Sequence, residues 1–200
     1  MKKLIIIGAS GHGKVVADIA VKNGYEEIVF LDDNSEITEC AGFPVVGKCN
    51  KAKDITGDKF VAIGNATIRE KFQKSLKTVT LIHPNAVISR RVIIGDGTVV
   101  MAGAVINSDV VIGKGCIINT GSSVDHDCII RDFAHISVGA HIAGTCQIGA
   151  RTWIGAGGIV SNNISICDDC LIGAGAVVVR NLEKAGTYIG VPAKKLRNKE

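Results

Sequence analysis

Residues 112–130 read IGKGCIINTGSSVDHDCII, and every sixth residue in this stretch is Ile or Val. The same spacing continues without a break from Ile82 to Val178. The seventeen positions are Ile82, Ile88, Ile94, Val100, Ile106, Ile112, Ile118, Val124, Ile130, Ile136, Ile142, Ile148, Ile154, Val160, Ile166, Ile172 and Val178. A fixed period indicates a repeat architecture, because neither an α-helix nor a plain β-strand has period six.

A second recurrent class of residues, mostly small, lies four positions after most of these Ile and Val residues. Its members are Ala86, Thr98, Ala104, Cys116, Ser122, Cys128, Ala134, Ala140, Cys146, Thr152, Gly158, Cys170 and Ala176. Both classes are explained by a parallel β-helix in which each six-residue unit forms a short strand and a corner. The branched residue then points inward and the small residue fills the corner. Three units close one coil of eighteen residues, and we expect the coils to stack about 4.8 Å apart.

Glycine directly follows several of the branched residues, at Gly95, Gly113, Gly149, Gly155 and Gly173. Because glycine has no side chain, these positions predict close backbone packing between coils. The repeat resembles that of the hexapeptide-repeat acyltransferases. That resemblance implies a left-handed parallel β-helix and a homotrimer.

The composition restricts the class of protein. The chain has 200 residues, is 46% hydrophobic but only 4% aromatic, and has a net charge of +4. Its basic residues are spread out apart from a C-terminal cluster, so nucleic acid is not indicated as a partner. No apolar run is long enough to span a membrane, and Gly8 and Gly11 interrupt the short apolar segment near the N-terminus. We therefore expect a cytoplasmic protein without a membrane partner.

Seven cysteines are present, and four of them, Cys116, Cys128, Cys146 and Cys170, occupy the small corner position. In that position cysteine acts as a compact apolar filler. Cys167 and Cys170 form a C-x-x-C motif, a spacing that can indicate zinc or a redox pair, but no second pair matches it. We predict neither a metal site nor a disulfide framework.

The N-terminal part of the chain has a different pattern. The apolar run Lys3–Ile7 is followed by the glycine turn GASGHG at residues 8–13 and then by apolar residues at helical spacing. Such a turn brings backbone N–H groups and a helix N-terminus against phosphate oxygens. Its spacing, G-x-x-G-x-G, differs from the dinucleotide pattern, and a tight turn without a ligand is the alternative.

Two further apolar runs in this part also end in polar or glycine residues. Glu27–Leu31 precedes Asp32 and Asp33, and 59–63 precedes Gly64. The carboxyl ends of parallel strands lie at one edge of a sheet, where ligands bind in open α/β folds. We therefore predict an α/β Rossmann-like domain over 1–80, and a β-helix domain with a C-terminal tail over 81–200.

Three of the five histidines fall close together, at His126, His135 and His141, and none occupies an inward or corner position of the repeat. Each is therefore either a solvated surface residue or a general base. His126 is the best candidate for a base because Asp125 and Asp127 flank it, and an adjacent carboxylate stabilises the imidazolium that forms. Gly144 lies eighteen residues later and should stack over His126, where its backbone N–H would meet a developing oxyanion.

A zinc site is the alternative use of these histidines, as in carbonic anhydrases of the β-helix fold. That family does not need the glycine turn or the acidic pair Asp32-Asp33. The spacing of His135 and His141 also differs from the closer histidine pair of that family. We therefore favour the general base and predict no metal.

The whole chain resembles the sugar acetyltransferases that act on UDP-4-amino-4,6-dideoxy sugars. That family includes the bacillosamine-pathway enzyme, perosamine N-acetyltransferases and sialic acid O-acetyltransferases. The motifs that carry the resemblance are GASGHG, LDD at 31–33, AIGN at 62–65, LIHP at 81–84, NTGSSVDHD at 119–127, FAHISVGAHIAG at 133–144 and GVPAK at 190–194. They cover nearly the full length.

The resemblance implies a role for each matching residue. In the N-terminal domain, it implies that six residues contact the nucleotide of the sugar substrate: Ser10, Gly11, His12, Asp32, Asp33 and Gly64. In the β-helix, it implies His126 as the base with Asp127 raising its basicity, Asn119 at the sugar, and His135 and Gly144 at acetyl-CoA. Acetyl-CoA would lie between neighbouring subunits of a homotrimer.

The sequence thus predicts an acetyl-CoA-dependent acetyltransferase that acetylates the amino group of a nucleotide-linked amino sugar, with direct transfer and a histidine base. Two alternatives stay open, a sugar O-acetyltransferase of the sialic acid type and a non-catalytic nucleotide-sugar-binding protein. No residue decides between an amine and a hydroxyl acceptor, and no role is predicted for His141.

Overall fold

The computed structural model describes residues 1–196, so the last four residues of the predicted C-terminal tail lie outside the described residues. The chain forms two compact units, Met1–Pro84 and the part that starts at Asn85. None of the helices in the described part is long and apolar enough to cross a membrane.

The first unit contains a three-stranded parallel sheet in the order β2-β1-β5, with two α-helices and a small antiparallel hairpin, β3-β4. In chain order its elements are β1 (Lys3–Ile7), α1 (Gly11–Lys22), β2 (Glu27–Leu31), β3 (Glu39–Cys40), β4 (Phe43–Pro44), a 3-10 helix (Cys49–Lys53), β5 (Asp58–Val61), α2 (Ala66–Gln73) and β6 (Leu81–Ile82). The first two predicted strands are confirmed. The third ends at Val61 rather than at residue 63 because its only partner in the sheet, β1, ends at Ile7, which pairs with Val61. The carbonyl groups of Ile63 and Gly64 instead accept hydrogen bonds from the guanidinium of Arg69, at 2.8 and 2.9 Å.

The glycine turn after β1 is required by close packing. A Cβ atom on Gly13 would lie 2.3 Å from the carbonyl oxygen of Gly8, and Gly8 itself has a φ of +106°. Any side chain at residue 13 would therefore push α1 away from the loop that precedes it. The turn places the N-terminus of α1 directly after the apolar core strand β1, whose residues 4–7 are fully buried.

The second unit is a left-handed parallel β-helix, which confirms the predicted fold class. From Val87 to Val160 each strand pairs in parallel with the strand eighteen residues later, as in the pairing of Val105 with Ser123. At the end of the stack, Cys170 pairs with Gly186 sixteen residues later, and the last strand is antiparallel to its neighbour. The strands are β7 (Val87–Ile88), β8 (Ile93–Ile94), β9 (Val99–Val100), β10 (Val105–Ile106), β11 (Val111–Ile112), β12 (Ile117–Ile118), β13 (Ser123–Val124), β14 (Ile129–Ile130), β15 (His135–Ile136), β16 (His141–Ile142), β17 (Gln147–Ile148), β18 (Trp153–Ile154), β19 (Ile159–Val160), β20 (Ser165–Ile166), β21 (Cys170–Ile172), β22 (Val177–Val178), β23 (Gly186–Ile189) and β24 (Lys194–Lys195).

These strands form three faces that are connected in turn by corners. The first face contains β7, β10, β13, β16, β19 and β22, the second contains β8, β11, β14, β17 and β20, and the third contains β9, β12, β15, β18, β21 and β23, with β24 paired to β23 at its end. The chain therefore passes from one face to the next every six residues, as the period of the sequence predicts.

The inward positions of the repeat form the core. From Val100 to Val178 every predicted inward Ile or Val is at most 3% exposed, which confirms the predicted direction of these side chains. Ile88 and Ile94 are only partly buried against this core, because the coil at the start of the stack has fewer neighbours. Ile82, the first position of the series, lies in the unit that ends at Pro84 and is 36% exposed, and its carbonyl accepts a hydrogen bond from Asn23.

The glycines that follow inward residues allow the coils to approach, as predicted. A Cβ atom on Gly149 would lie 2.3 Å from the carbonyl carbon of Cys167 in the next coil, and one on Gly113 would lie 2.7 Å from the backbone nitrogen of Asp132. A Cβ atom on Gly95 or Gly155 would also lie 2.6 Å from a backbone atom, and one on Gly173 would lie 2.8 Å from Cγ2 of Ile189. Any side chain at these positions would separate two coils.

The small corner residues also make a recurrent hydrogen bond. Thr98 and Thr152 donate their hydroxyl groups, and Cys116, Cys128 and Cys146 their thiols, to the backbone carbonyl fifteen residues later, at 2.8 to 3.2 Å. The predicted corner cysteines are all at most 2% exposed, so their structural assignment is confirmed. Where the corner residue is one of these threonines or cysteines, its donor is therefore satisfied by a backbone carbonyl of the β-helix.

All seven cysteines lie within residues 1–196 and are present as thiols. In the C-x-x-C motif the two sulfur atoms of Cys167 and Cys170 are 3.5 Å apart. No group of three or more His, Cys, Asp or Glu side chains in the described part is arranged to hold a metal ion.

Replacing Cys146 by Ala tests the corner hydrogen bond. The change removes the sulfur that fills the corner and the thiol that donates to the carbonyl of Ser161 at 3.0 Å. We expect the free energy of unfolding to fall by about 1–2 kcal/mol, measured by chemical denaturation. Cys146→Ser keeps a donor and should lose less stability than Cys146→Ala. A larger loss for Ser than for Ala would contradict the role of the donor.

Candidate active site

The corner that carries His126 connects the first face to the second face of one coil. It follows β13 and precedes β14, and Asp127 adopts a left-handed backbone conformation with a φ of +58°. One carboxylate oxygen of Asp125 accepts hydrogen bonds from the backbone N–H of His126, at 2.8 Å, and from the side chain of Asn107 in the preceding coil, at 2.7 Å. These two hydrogen bonds lower the pKa of Asp125, so this residue is an anion that stabilises the turn.

Asp127 holds the imidazole of His126. The Nδ1 atom of His126 lies 2.8 Å from a carboxylate oxygen of Asp127. A carboxylate accepts from Nδ1–H, so in the neutral ring Nε2 carries the lone pair that takes a proton. The hydrogen bond to Asp127 and then the negative charge of Asp125 raise the pKa of His126 above its ordinary value. The ring is therefore a stronger base than a free histidine, and its side chain is 53% exposed.

Gly144 stacks over the His126 ring, as the eighteen-residue coil predicts. A Cβ atom on Gly144 would lie 2.7 Å from Cε1 and from Nε2 of His126. The next residue, Thr145, donates its N–H to the carbonyl of His126 at 2.9 Å. Among the described residues, no hydrogen bond uses the N–H of Gly144. A basic nitrogen and an available backbone donor are thus adjacent.

His135 belongs to a second cluster, on the third face. Its Nε2 atom lies 3.2 Å from the side-chain nitrogen of Asn119. The oxygen of the same amide accepts the N–H of Thr120 at 2.8 Å, which fixes the orientation of the amide. Trp153 stacks on the imidazole with a centroid distance of 5.2 Å and an angle of 9° between the rings. The structure therefore brings Asn119 to His135, at a different corner of the β-helix from His126.

His141 lies on the first face and is exposed. Its Nδ1 atom is 2.8 Å from the hydroxyl of Ser123, one coil earlier. A hydroxyl can donate or accept, so this contact favours neither tautomer of His141. Each of the three histidines thus has a different partner: a carboxylate, an amide or a hydroxyl.

In the first unit, the predicted residues of the glycine turn surround the start of α1. Ser10 is the exposed N-cap residue and its side chain makes no capping hydrogen bond, and Gly11 is also exposed. His12 is largely buried, and burial followed by the positive charge of Arg69 lowers the pKa of His12 to about 4. This histidine is therefore neutral at pH 7, and its Nε2 atom has no hydrogen-bond partner within residues 1–196.

The acidic pair after β2 accepts hydrogen bonds from backbone N–H groups, whereas its position at the end of a strand suggests contact with a ligand. Asp32 accepts the N–H of Ala9 at 2.7 Å and the N–H of Asn34 at 2.9 Å, one on each carboxylate oxygen. Asp33 accepts the N–H of Cys49 at 3.0 Å, at the start of the 3-10 helix. Both carboxylates thus connect loops of this unit, and Asp32 ties the glycine turn to the end of β2.

Two features of the structure were not identified from the sequence. Arg69, only 1% exposed, binds the carbonyl of predicted site residue Gly64 and lowers the pKa of His12. In the β-helix, a cavity of about 580 Å³ has Gln147 and Ser165 of the second face among its lining residues, along with Arg131. The sequence does contain a signal for this cavity. The residues directly before the inward positions of the second face are apolar at Ile93, Val111 and Ile129 and polar at Gln147 and Ser165.

Comparisons with known proteins support one family. The PglD N-terminal domain matches residues 3–76. UDP-N-acetylbacillosamine N-acetyltransferase of Bacillus subtilis (strain 168) is 34% identical over 113 residues, and this match spans only about half of each protein, 51% of this chain and 52% of the relative.

Solved structures match over nearly the full length. The acetyltransferase domain of PglB from Neisseria gonorrhoeae FA1090, in complex with acetyl coenzyme A, is 42% identical, with a TM-score of 0.94 and coverage of 98% of this chain and 99% of that chain. PerB from Caulobacter crescentus, in complex with CoA and GDP-perosamine, is 36% identical, with a TM-score of 0.93 and coverage of 98% of both chains. The family resemblance of the sequence is thereby confirmed: the chain belongs to the hexapeptide-repeat sugar acetyltransferases that carry a PglD-type N-terminal domain.

Proposed function

We propose that this protein is an acetyl-CoA-dependent acetyltransferase that acetylates the amino group of a nucleotide-linked amino sugar, most specifically a UDP-4-amino-4,6-dideoxy sugar. The observation that carries the proposal is the His126 corner. There, Asp127 holds Nδ1 at 2.8 Å and Nε2 lies against Gly144, whose N–H makes no hydrogen bond within residues 1–196. The acetyl-CoA and the GDP-perosamine bound to the similar proteins PglB and PerB support both substrates.

The reaction begins with the neutral amine of the sugar, which attacks the carbonyl carbon of the acetyl thioester. Nε2 of His126 takes the proton that the nitrogen loses as the new C–N bond forms, and Asp127 stabilises the resulting imidazolium. The carbonyl oxygen becomes an oxyanion, to which the N–H of Gly144 donates. The intermediate then collapses, the C–S bond breaks, and the thiolate of CoA receives the proton from His126. Every atom of the transfer is thereby balanced without a covalent enzyme intermediate or a metal.

The remaining predicted residues have binding roles in this proposal. Asn119 contacts the sugar and His135 contacts acetyl-CoA. In the first unit, Ser10, Gly11, His12, Asp32, Asp33 and Gly64 surround the nucleotide. His12 is neutral at pH 7 because burial lowers its pKa to about 4, so it contributes hydrogen bonding and shape rather than charge. Asp32 and Asp33 contribute chiefly by holding the loops in place. The seven thiols are typical of a reducing compartment, which supports the cytoplasm as the location.

Release of the CoA thiol tests the function directly. We expect acetyl-CoA to be consumed with a UDP-4-amino-4,6-dideoxy sugar and much more slowly with the matching 4-hydroxy sugar, in a panel that includes GDP- and CMP-linked sugars. Preferential turnover of a hydroxyl acceptor such as a CMP-linked sialic acid would establish the O-acetyltransferase instead. Binding of a nucleotide sugar without thiol release from any member of the panel would establish the non-catalytic binding protein.

Replacing His126 by Ala should remove the base. We expect turnover to fall by about 10² to 10⁴-fold, while both substrates still bind. In the wild type, turnover should rise with pH, because the raised pKa of His126 keeps the base protonated at low pH. Asp127→Asn removes the main cause of that shift, so its profile should move to lower pH with a smaller loss of turnover. Near-normal turnover of His126→Ala with an unchanged pH profile would contradict the assignment.

The proposal includes a homotrimer, because the residues that the proposal assigns to one site lie apart in a single chain. His126 lies between the first and second faces, whereas Asn119 follows β12 on the third face, one corner earlier. Three-fold association places one corner of a subunit beside a different corner of its neighbour. A cleft between subunits would thus combine both clusters.

Mixing two inactive variants tests this arrangement. His126→Ala and Asn119→Ala trimers that are unfolded and refolded together should regain activity, since random exchange leaves about a quarter of the clefts with both residues intact. Each variant refolded alone is the control, and light scattering should give three times the mass of one chain. A fully active monomer, or mixed trimers without recovered activity, would refute the shared site.

A further inference from the structure

Trp153 is the only tryptophan of the chain, and it lies on the outer surface of the β-helix. It pairs in register with His135 of the preceding coil, and its side chain remains 45% exposed. Its indole N–H donates to the hydroxyl of Ser137 at 2.6 Å, and Ser137 is itself buried. One face of an exposed aromatic ring is thus fixed in position against the His135 imidazole.

The contacts continue from this stack to Asn119. The amide nitrogen of Asn119 donates to Nε2 of His135, at 3.2 Å, and the amide oxygen accepts the N–H of Thr120, at 2.8 Å. Because the amide nitrogen is a donor only, Nε2 must carry a lone pair. The contacts therefore select the neutral tautomer of His135 that has its proton on Nδ1. They also fix both ends of the Asn119 amide.

The other two outward histidines lack this combination. His126 faces a carboxylate, which favours the imidazolium, and His141 faces the hydroxyl of Ser123, which accepts either tautomer. The stacked ring of Trp153 and the oriented amide of Asn119 restrict His135 in plane and in tautomer. Covering one imidazole does not by itself explain an exposed tryptophan, since nearly half of the surface of Trp153 stays in water and gains nothing from burial.

We infer that Trp153 is a positioning residue for the proposed transfer, which acts through His135 on the amide of Asn119. The inference rests on the proposed function, in which Asn119 contacts the sugar. With the Asn119 oxygen on Thr120 and one amide hydrogen on His135, the second amide hydrogen has a defined direction towards a sugar hydroxyl or amine. If the imidazole tilts, the amide loses one of its two restraints, and the acceptor amine loses its alignment with the thioester.

Kinetics of Trp153 variants test this role. Trp153→Leu keeps an apolar side chain but removes the ring, and we expect kcat/KM for the nucleotide sugar to fall about tenfold. Trp153→Phe keeps the stack and should restore most of that loss. Leu171 pairs with Trp153 in the next coil and is 40% exposed. Leu171→Ala is the matched control, and its kcat/KM should stay within about twofold of the wild type. Equal activity of the Leu and wild-type proteins would overturn the inference.

A spectroscopic measurement separates this inference from the proposed function, because it needs no turnover. Nitrogen-15 NMR of the imidazoles should show His135 as the Nδ1–H tautomer in the wild type and in Trp153→Phe, and as a mixture of tautomers in Trp153→Leu. Thermal unfolding confirms that each variant is folded. An inactive protein with this NMR result would refute the proposed function alone. A Trp153→Leu protein that keeps the single tautomer would refute the positioning role, whatever its activity.

Discussion

The eighteen-residue register between coils is the constraint on which the β-helix depends. Each strand is only two or three residues long in most coils, so it has little stability except through the strands above and below it. The register places every inward Ile or Val beneath another, and glycines such as Gly113 and Gly149 let the backbones approach. Both candidate clusters follow from the same register, since Gly144 and Trp153 lie one coil after His126 and His135.

The two histidines assigned to the reaction have opposite electrostatic surroundings. His126 is solvated and bonded to the Asp127 carboxylate, which strengthens it as a base. His135 contacts an aromatic ring and an amide donor, which suits a neutral ring of fixed tautomer. In the proposed reaction, environment rather than residue type thus separates a proton acceptor from an orienting group. In the first unit, burial makes His12 a third, permanently neutral case at pH 7.

The sequence predicted most of the fold because a period is a collective property that single exceptions do not change. Ile82 shows that the period does not by itself predict burial, since the first member of a series fits the spacing and is still 36% exposed. The stacking of Gly144 over His126 was predictable by counting one coil, and the Trp153–His135 stack follows from the same count. The hydrogen bonds of Asp32 and Asp33 were not predictable, because their partners are backbone N–H groups far apart in the chain. Burial of Arg69 has no signal in its helix, where charged neighbours suggest a solvated face.

Glycines of this β-helix are required for two different reasons, with different evolutionary consequences. At Gly149 an added methyl group would meet the backbone of the next coil, which has no room to move. At Gly144 it would meet the imidazole of His126, a side chain that can rotate away. We therefore expect residues 126 and 144 to be epistatic: alanine at 144 would displace the imidazole when His126 is present and would meet none once that histidine is lost. A descendant that gave up the chemistry would be released from glycine at 144 while remaining bound to it at 149.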